Sequence, residues 1–113
     1  MKVIDVLHVP EAGEDKKSTL LFDGPGRKLT QLTLRRGAVL AEHASPDPVI
    51  IECVAGTGTL VIQAEEIPLV VGRRVVLEAG EPHGITAGHL LVIVLTRCTS
   101  VARSPVHSLG GTQ

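Results

Sequence analysis

Apolar residues in this chain fall into short runs, and glycine, proline or a charged cluster closes almost every one. VIDVLHV at 3–9 reads as a first strand ended by Pro10, and EAGEDKK at 11–17 as a charged loop. STLLF at 18–22 is a second strand, stopped by the turn sequence DGPGR. KLTQLTL at 28–34 alternates in part, and Gly37 separates it from AVLAEH. PVIIECV at 48–54 is nearly continuous in apolar residues, the pattern of a strand covered on both faces. AGTG then predicts a bend before TLVIQ at 59–63, and a hairpin turn is expected around Ala64, Glu65 and Glu66. IPLVV runs to Gly72, and RVVLEAG at 74–80 leads to a turn at Glu81-Pro82. HGITA at 83–87, a turn at Gly88 and HLLVIVLTR at 89–97 complete the series. No long stretch combines helical periodicity with caps. Many short strands spaced by turns predict an all-β sandwich or barrel, a form that also hides the edges of such apolar strands.

Composition agrees. Val, Ile and Thr supply 31 of the 113 residues, and β-branching favours strands. A chain of this length is expected to be one domain, 1–113, burying roughly two-thirds of its surface. Its barrel core is expected over 28–97, with N-terminal strands over 3–22 and a polar tail at 99–113 that docks as a strand or frays. Phe22 is the single aromatic residue, which argues against sugar or base recognition by stacking. The net charge is −1 with both signs scattered, so no dense basic stripe is present to release counterions from nucleic acid. Arg35-Arg36 and Arg73-Arg74 read as solvated strand ends.

The first residues lack a signal-peptide pattern, and no apolar stretch approaches the roughly 18–20 residues of a membrane span. Cys53 and Cys98 sit in apolar runs without ligand spacing, which predicts two reduced, buried thiols in a cytoplasmic protein. His8 and His107 read as surface residues. Gly56-Thr57-Gly58 lacks the Lys-Ser/Thr and helix of a phosphate loop and reads as a strand bend. Glu65-Glu66 reads as a solvated hairpin tip, and no Ser-His-Asp or Cys-His arrangement has supporting context.

Two stretches carry a resemblance. GAVLAEHASPDPVIIECVAG at 37–56 and GRRVVLEAGEPHGITA at 72–87 are similar to the two motifs of the cupin superfamily. In the first motif Gly37, His43 and Gly56 match, the second histidine position holds Ser45, and the glutamate position holds Val49 or Ile50. In the second, Gly72, Gly80 and His83 match, while Glu78 and Ala87 replace the proline and asparagine. The resemblance implies a double-stranded β-helix, or jelly-roll barrel, with little or no helix, often found as a homodimer.

It also implies where a metal belongs. Metal-binding cupins hold a divalent transition ion such as zinc, iron, manganese or nickel with three histidines and a glutamate. Here only His43 and His83 remain of that set, with Asp47 in the SPDP loop or His89 at the last strand as candidate additional ligands. Cys53 shares the parity of Val49 but lies about 13 Å along the strand. Glu52 has the opposite parity and is expected to point away from the interior. Two readings follow. In the first, His43, Ser45 and His83 line a pocket for an unidentified small molecule, with an imidazole available as general acid or base. The alternative is a metal-dependent dioxygenase or isomerase with a reduced His43/His83 ligand set. Fold alone does not choose between them.

Overall fold

The structure is a computed structural model that describes residues 1–99. The tail beyond Thr99, with the docking or fraying expected of it and the surface position expected of His107, lies outside the described residues. Seven strands follow in order: β1 (Lys16–Gly24), β2 (Arg27–Arg35), β3 (Val39–His43), β4 (Val49–Ile62), β5 (Glu65–Leu69), β6 (Arg74–Leu77) and β7 (His83–Arg97). All pairings are antiparallel. Among the described residues there is no helix, hence none long and apolar enough to cross a membrane.

Strands β4 and β7 pair along most of their length and belong to two sheets at once. Residues 49–52 of β4 pair with β6, and residues 90–97 of β7 pair with β2, which in turn holds β1. Farther along, residues 58–62 of β4 pair with β5, and β3 pairs with the first residues of β7. One sheet therefore reads β1-β2-β7-β4-β6 and the other β3-β7-β4-β5, the layout of a jelly roll. Leu34, Ile51, Cys53, Leu60, Leu69, Leu91 and Ile93 are fully buried and draw on both sheets.

Here the expected bends become something else. AGTG does not divide β4, and Gly88 does not divide β7; each is one strand. The ladder slips between Cys53 and Ala55 and again between Gly56 and Gly58, so bulges turn the strands without ending them. Gly56 is required there. It sits at φ 73°, and a Cβ on it would collide with the carbonyl oxygen of Leu90 across the ladder.

The hairpin after β4 turns at Gln63 and Ala64, one position before the expected tip. Both hold positive φ, 49° and 69°, as a two-residue turn matched to strand twist demands. Glu65 and Glu66 begin β5 and are exposed. Pro25 followed by Gly26 at φ 81° joins β1 to β2, the residue order that suits a type II turn.

The expected first strand over 3–9 does not form. Strand β2 already has β1 on one edge and β7 on the other, so the N-terminal segment lies on its face. Side chains replace the missing ladder. Gln31 accepts from the Leu7 N–H at 2.8 Å and donates to the Leu7 carbonyl at 3.3 Å. Arg35 donates to the carbonyls of Pro10 at 2.7 Å and Glu11 at 3.3 Å. Arg35 is thus 6% exposed and not a solvated strand end, because the segment it holds covers it. Its neighbour Arg36 is exposed and pairs with Asp15 at 2.6 Å.

Candidate functional site

Residues 28, 30, 32 and 34 of β2 share one side of the strand, and that side faces the interior. Toward the end of the sandwich where β3 stops and β7 starts, the interior is not filled. A cavity of about 330 Å³ remains there, with apolar walls from Leu32, Leu40, Val49, Ile85 and Leu95. His43, Ser45 and His83 line it, as do Lys28, Thr30, Ser18 and Arg97.

The two imidazoles meet because of a bulge. His43 ends β3 and His83 opens β7, and the two are ladder partners. Between Leu40 and His43 the register shifts by one residue against β7. Without that extra residue, Leu40 and His43 would face opposite sides; with it, both line the cavity. The ring centroids lie 4.7 Å apart at a 50° tilt. His83 is 4% exposed, while His43 is exposed at the rim. Each ring is oriented by a carbonyl: Nδ1 of His83 donates to Glu81 at 3.1 Å, and Nδ1 of His43 donates to Ala41 at 3.3 Å. In a neutral imidazole, an Nδ1 proton donated in this way leaves Nε2 as a hydrogen-bond acceptor.

Ser45 reaches the cavity, but its hydroxyl accepts the N–H of Asp47 at 3.1 Å, an ordinary local turn bond. Its carbonyl accepts from the Gly80 N–H at 2.7 Å, tying the loop after β3 to the turn before His83.

The candidate additional metal ligands do not join this pair. Asp47 turns to Arg97, with Oδ2 3.2 Å from Nε. His89 is exposed beyond the bend in β7, where its carbonyl accepts the Arg36 N–H. Of the two residues matched to the glutamate position, Val49 is a buried hydrocarbon wall and Ile50 is a hydrocarbon as well, so neither can ligate. Among the described residues no three His, Cys, Asp or Glu side chains are grouped to hold a metal ion. Two imidazoles fall short of the three protein ligands typical of an open catalytic metal site. The donor set does not fit the centre that the resemblance implies.

Glu52 points outward to Arg74 at 3.1 Å. Cys53 is buried, and burial pushes its thiol above the ordinary range while a bond to the Ala55 carbonyl pulls the other way. Cys98 is exposed, contrary to the expectation of two buried thiols, because the chain has left β7 by that point. Lys28 and Arg97 escaped sequence reasoning altogether. The alternation of KLTQLTL puts Lys28 on the inner face, but only the pairing of β2 with β7 brings Arg97 beside it.

No protein-family model and no curated protein matches the sequence. Solved structures do match. A cupin superfamily protein from Desulfitobacterium hafniense superposes with a TM-score of 0.74 at 12% identity, over 81% of this chain and 84% of that one. A protein of unknown function from Streptococcus pyogenes does so at 0.71 and 20% identity, over 90% and 98%. A variant of salicylate 1,2-dioxygenase from Pseudoaminobacter salicylatoxidans, in complex with gentisate, matches at 0.70 and 16% identity, over 74% of this chain and 25% of that one. At such identities the likeness carries architecture and no activity.

Proposed function

We propose that this chain, a small cupin by fold, binds a small molecule in the barrel cavity, with His43 and His83 as the polar groups that orient it. The observation that carries this reading is the side-by-side placement of the two rings, 4.7 Å apart, on the wall of an otherwise apolar cavity. A concave apolar space with a few convergent polar groups is the usual form of a small-molecule site. Both rings reach it with Nδ1 already engaged, so each offers one acceptor at Nε2 without further ordering.

Dioxygenase or isomerase chemistry through a metal is the weaker reading, since the second histidine position holds Ser45 and the glutamate position holds Val49 or Ile50. The expected biological unit is a homodimer. Val39, Val71 and Val76 are more than half exposed and would gain from cover. Two unbridged cysteines support a reducing, cytoplasmic setting.

The test is methyl NMR of the protein against a fragment set of mixed charge. Shifts confined to Leu40, Val49, Ile85 and Leu95, and abolished when His83→Phe fills the cavity, are expected. A set that leaves the methyls of all four residues unmoved would overturn the reading. Metal analysis of the purified protein adds a second check: a stoichiometric transition metal lost on His43→Ala defeats it in favour of the metal centre.

A further inference from the structure

The ionisable groups on the cavity wall are all basic. Lys28 and Arg97 line it together with the two histidines, and among the described residues no Asp or Glu does. Lys28 and Arg97 are direct partners in the β2–β7 ladder, so their side chains leave the same face opposite each other. Like charges placed so destabilise a sheet. The next rung on that face is Thr30 with Leu95, and both line the cavity too.

Each cation has a carboxylate outside the cavity. Asp23 stands 3.9 Å from Lys28, a long pair with both side chains at least a third exposed, and such pairs hold a side chain weakly. Asp47 meets Arg97 through Nε. That contact engages the guanidinium at Nε, and a guanidinium carries further N–H donors in a fork that suits a planar anion.

We infer that the cavity takes a small organic carboxylate, with its anionic head between Lys28 and Arg97 and its apolar body against Leu32, Leu40, Val49 and Ile85. A bound carboxylate relieves the repulsion built into the Lys28–Arg97 rung. The Nε2 acceptors of His43 and His83 suit a hydroxyl or amide donor on the ligand body, not its head. A volume of about 330 Å³ limits the ligand to a small acid. This assignment rests on the reading of the cavity as a ligand site and adds the class of ligand.

Calorimetric titration of the full chain with hexanoate, hexanamide and hexylammonium tests it. These probes share a tail and differ in the charge of the head. Hexanoate is expected to bind at least about tenfold more tightly than hexanamide, the difference that one charged hydrogen bond supplies, and hexylammonium more weakly still. Lys28→Met and Arg97→Met keep the apolar stems, and each is expected to shrink the preference for hexanoate over hexanamide. Both side chains are partly exposed, so the fold should survive either change, as a melting curve will verify. Equal affinity for hexanoate and hexanamide, or a preference that survives both substitutions, overturns the carboxylate assignment but leaves a ligand cavity. Absence of binding by all three probes overturns it as well, and the cavity reading then depends on the broader fragment set.

Discussion

The interior of this sandwich has two ends built from the same strands, one filled and one open. β4 contributes Cys53 to the filled end and Val49 to the open one, while Ile51 and Leu60 are fully buried opposite Leu95 and Ile85. β7 contributes Leu91 and Ile93 to the first, and His83, Ile85, Leu95 and Arg97 to the second. All point inward. What separates them is closure. At the filled end, beside the bulges of the β4–β7 ladder, Cys53, Leu91 and Ile93 are fully dry, whereas the open end keeps a cavity lined in part by polar residues. Strand parity decides that a residue faces inward; it does not decide whether inward means core or cavity.

The comparison breaks most severely at Gly56. Gly56→Ala adds left-handed strain of about 1–3 kcal/mol and also drives a methyl group into the Leu90 carbonyl, so the β4–β7 ladder must open. Urea denaturation is expected to show a greater loss than any cavity substitution causes; a near-neutral result would mean that the bulge does not seal the filled end.

Matched leucines sharpen the contrast. Leu60→Ala in the dry core is expected to cost about 2–5 kcal/mol, whereas Leu40→Ala on the cavity wall should cost under about 1.5 kcal/mol, since Leu60 is fully buried and Leu40 only half-buried. Equal costs in chemical denaturation would show that the open end collapses in solution.

The thiols give the smallest effect. A disulfide reagent should modify exposed Cys98 in the folded protein and reach buried Cys53 only on unfolding. Burial raises the Cys53 thiol, so in alkaline solution the unfolded chain releases this proton before the folded one does. Fewer protons bound when unfolded means that stability falls as pH rises. The contribution is therefore intact below the ordinary thiol value of about 8.5 and fades above it. Cys53→Ala should lose that part of the alkaline decline, as melting temperatures across the thiol range will show.

Much of this architecture was legible along the chain because its causes are local. Turn residues at Pro25-Gly26 and near Gln63-Ala64, and β-branched runs such as VIIECV, mark strands wherever they occur. The pairing of His43 with His83 was legible only through resemblance, since the bulge that turns His43 inward leaves no mark in VLAEH. Arg35 shows the same limit from the other side. A pair of arginines at a strand end looks solvated until a distant segment lies over it, and that segment, VIDVLHV, reads as a strand because nothing near it says that both edges of β2 are taken.

By itself the amino-acid order determined an all-β chain, most of the places where strands end, and which residues share a face within an unbulged run, since each depends on neighbours within a few positions. Tertiary structure alone decided that Lys28 stands beside Arg97, that Asp47 serves the guanidinium instead of the imidazoles, and that one end of the interior stays open. Those outcomes depend on register between strands far apart in the chain. A single bulged residue changes the register, and with it the direction of every side chain that follows.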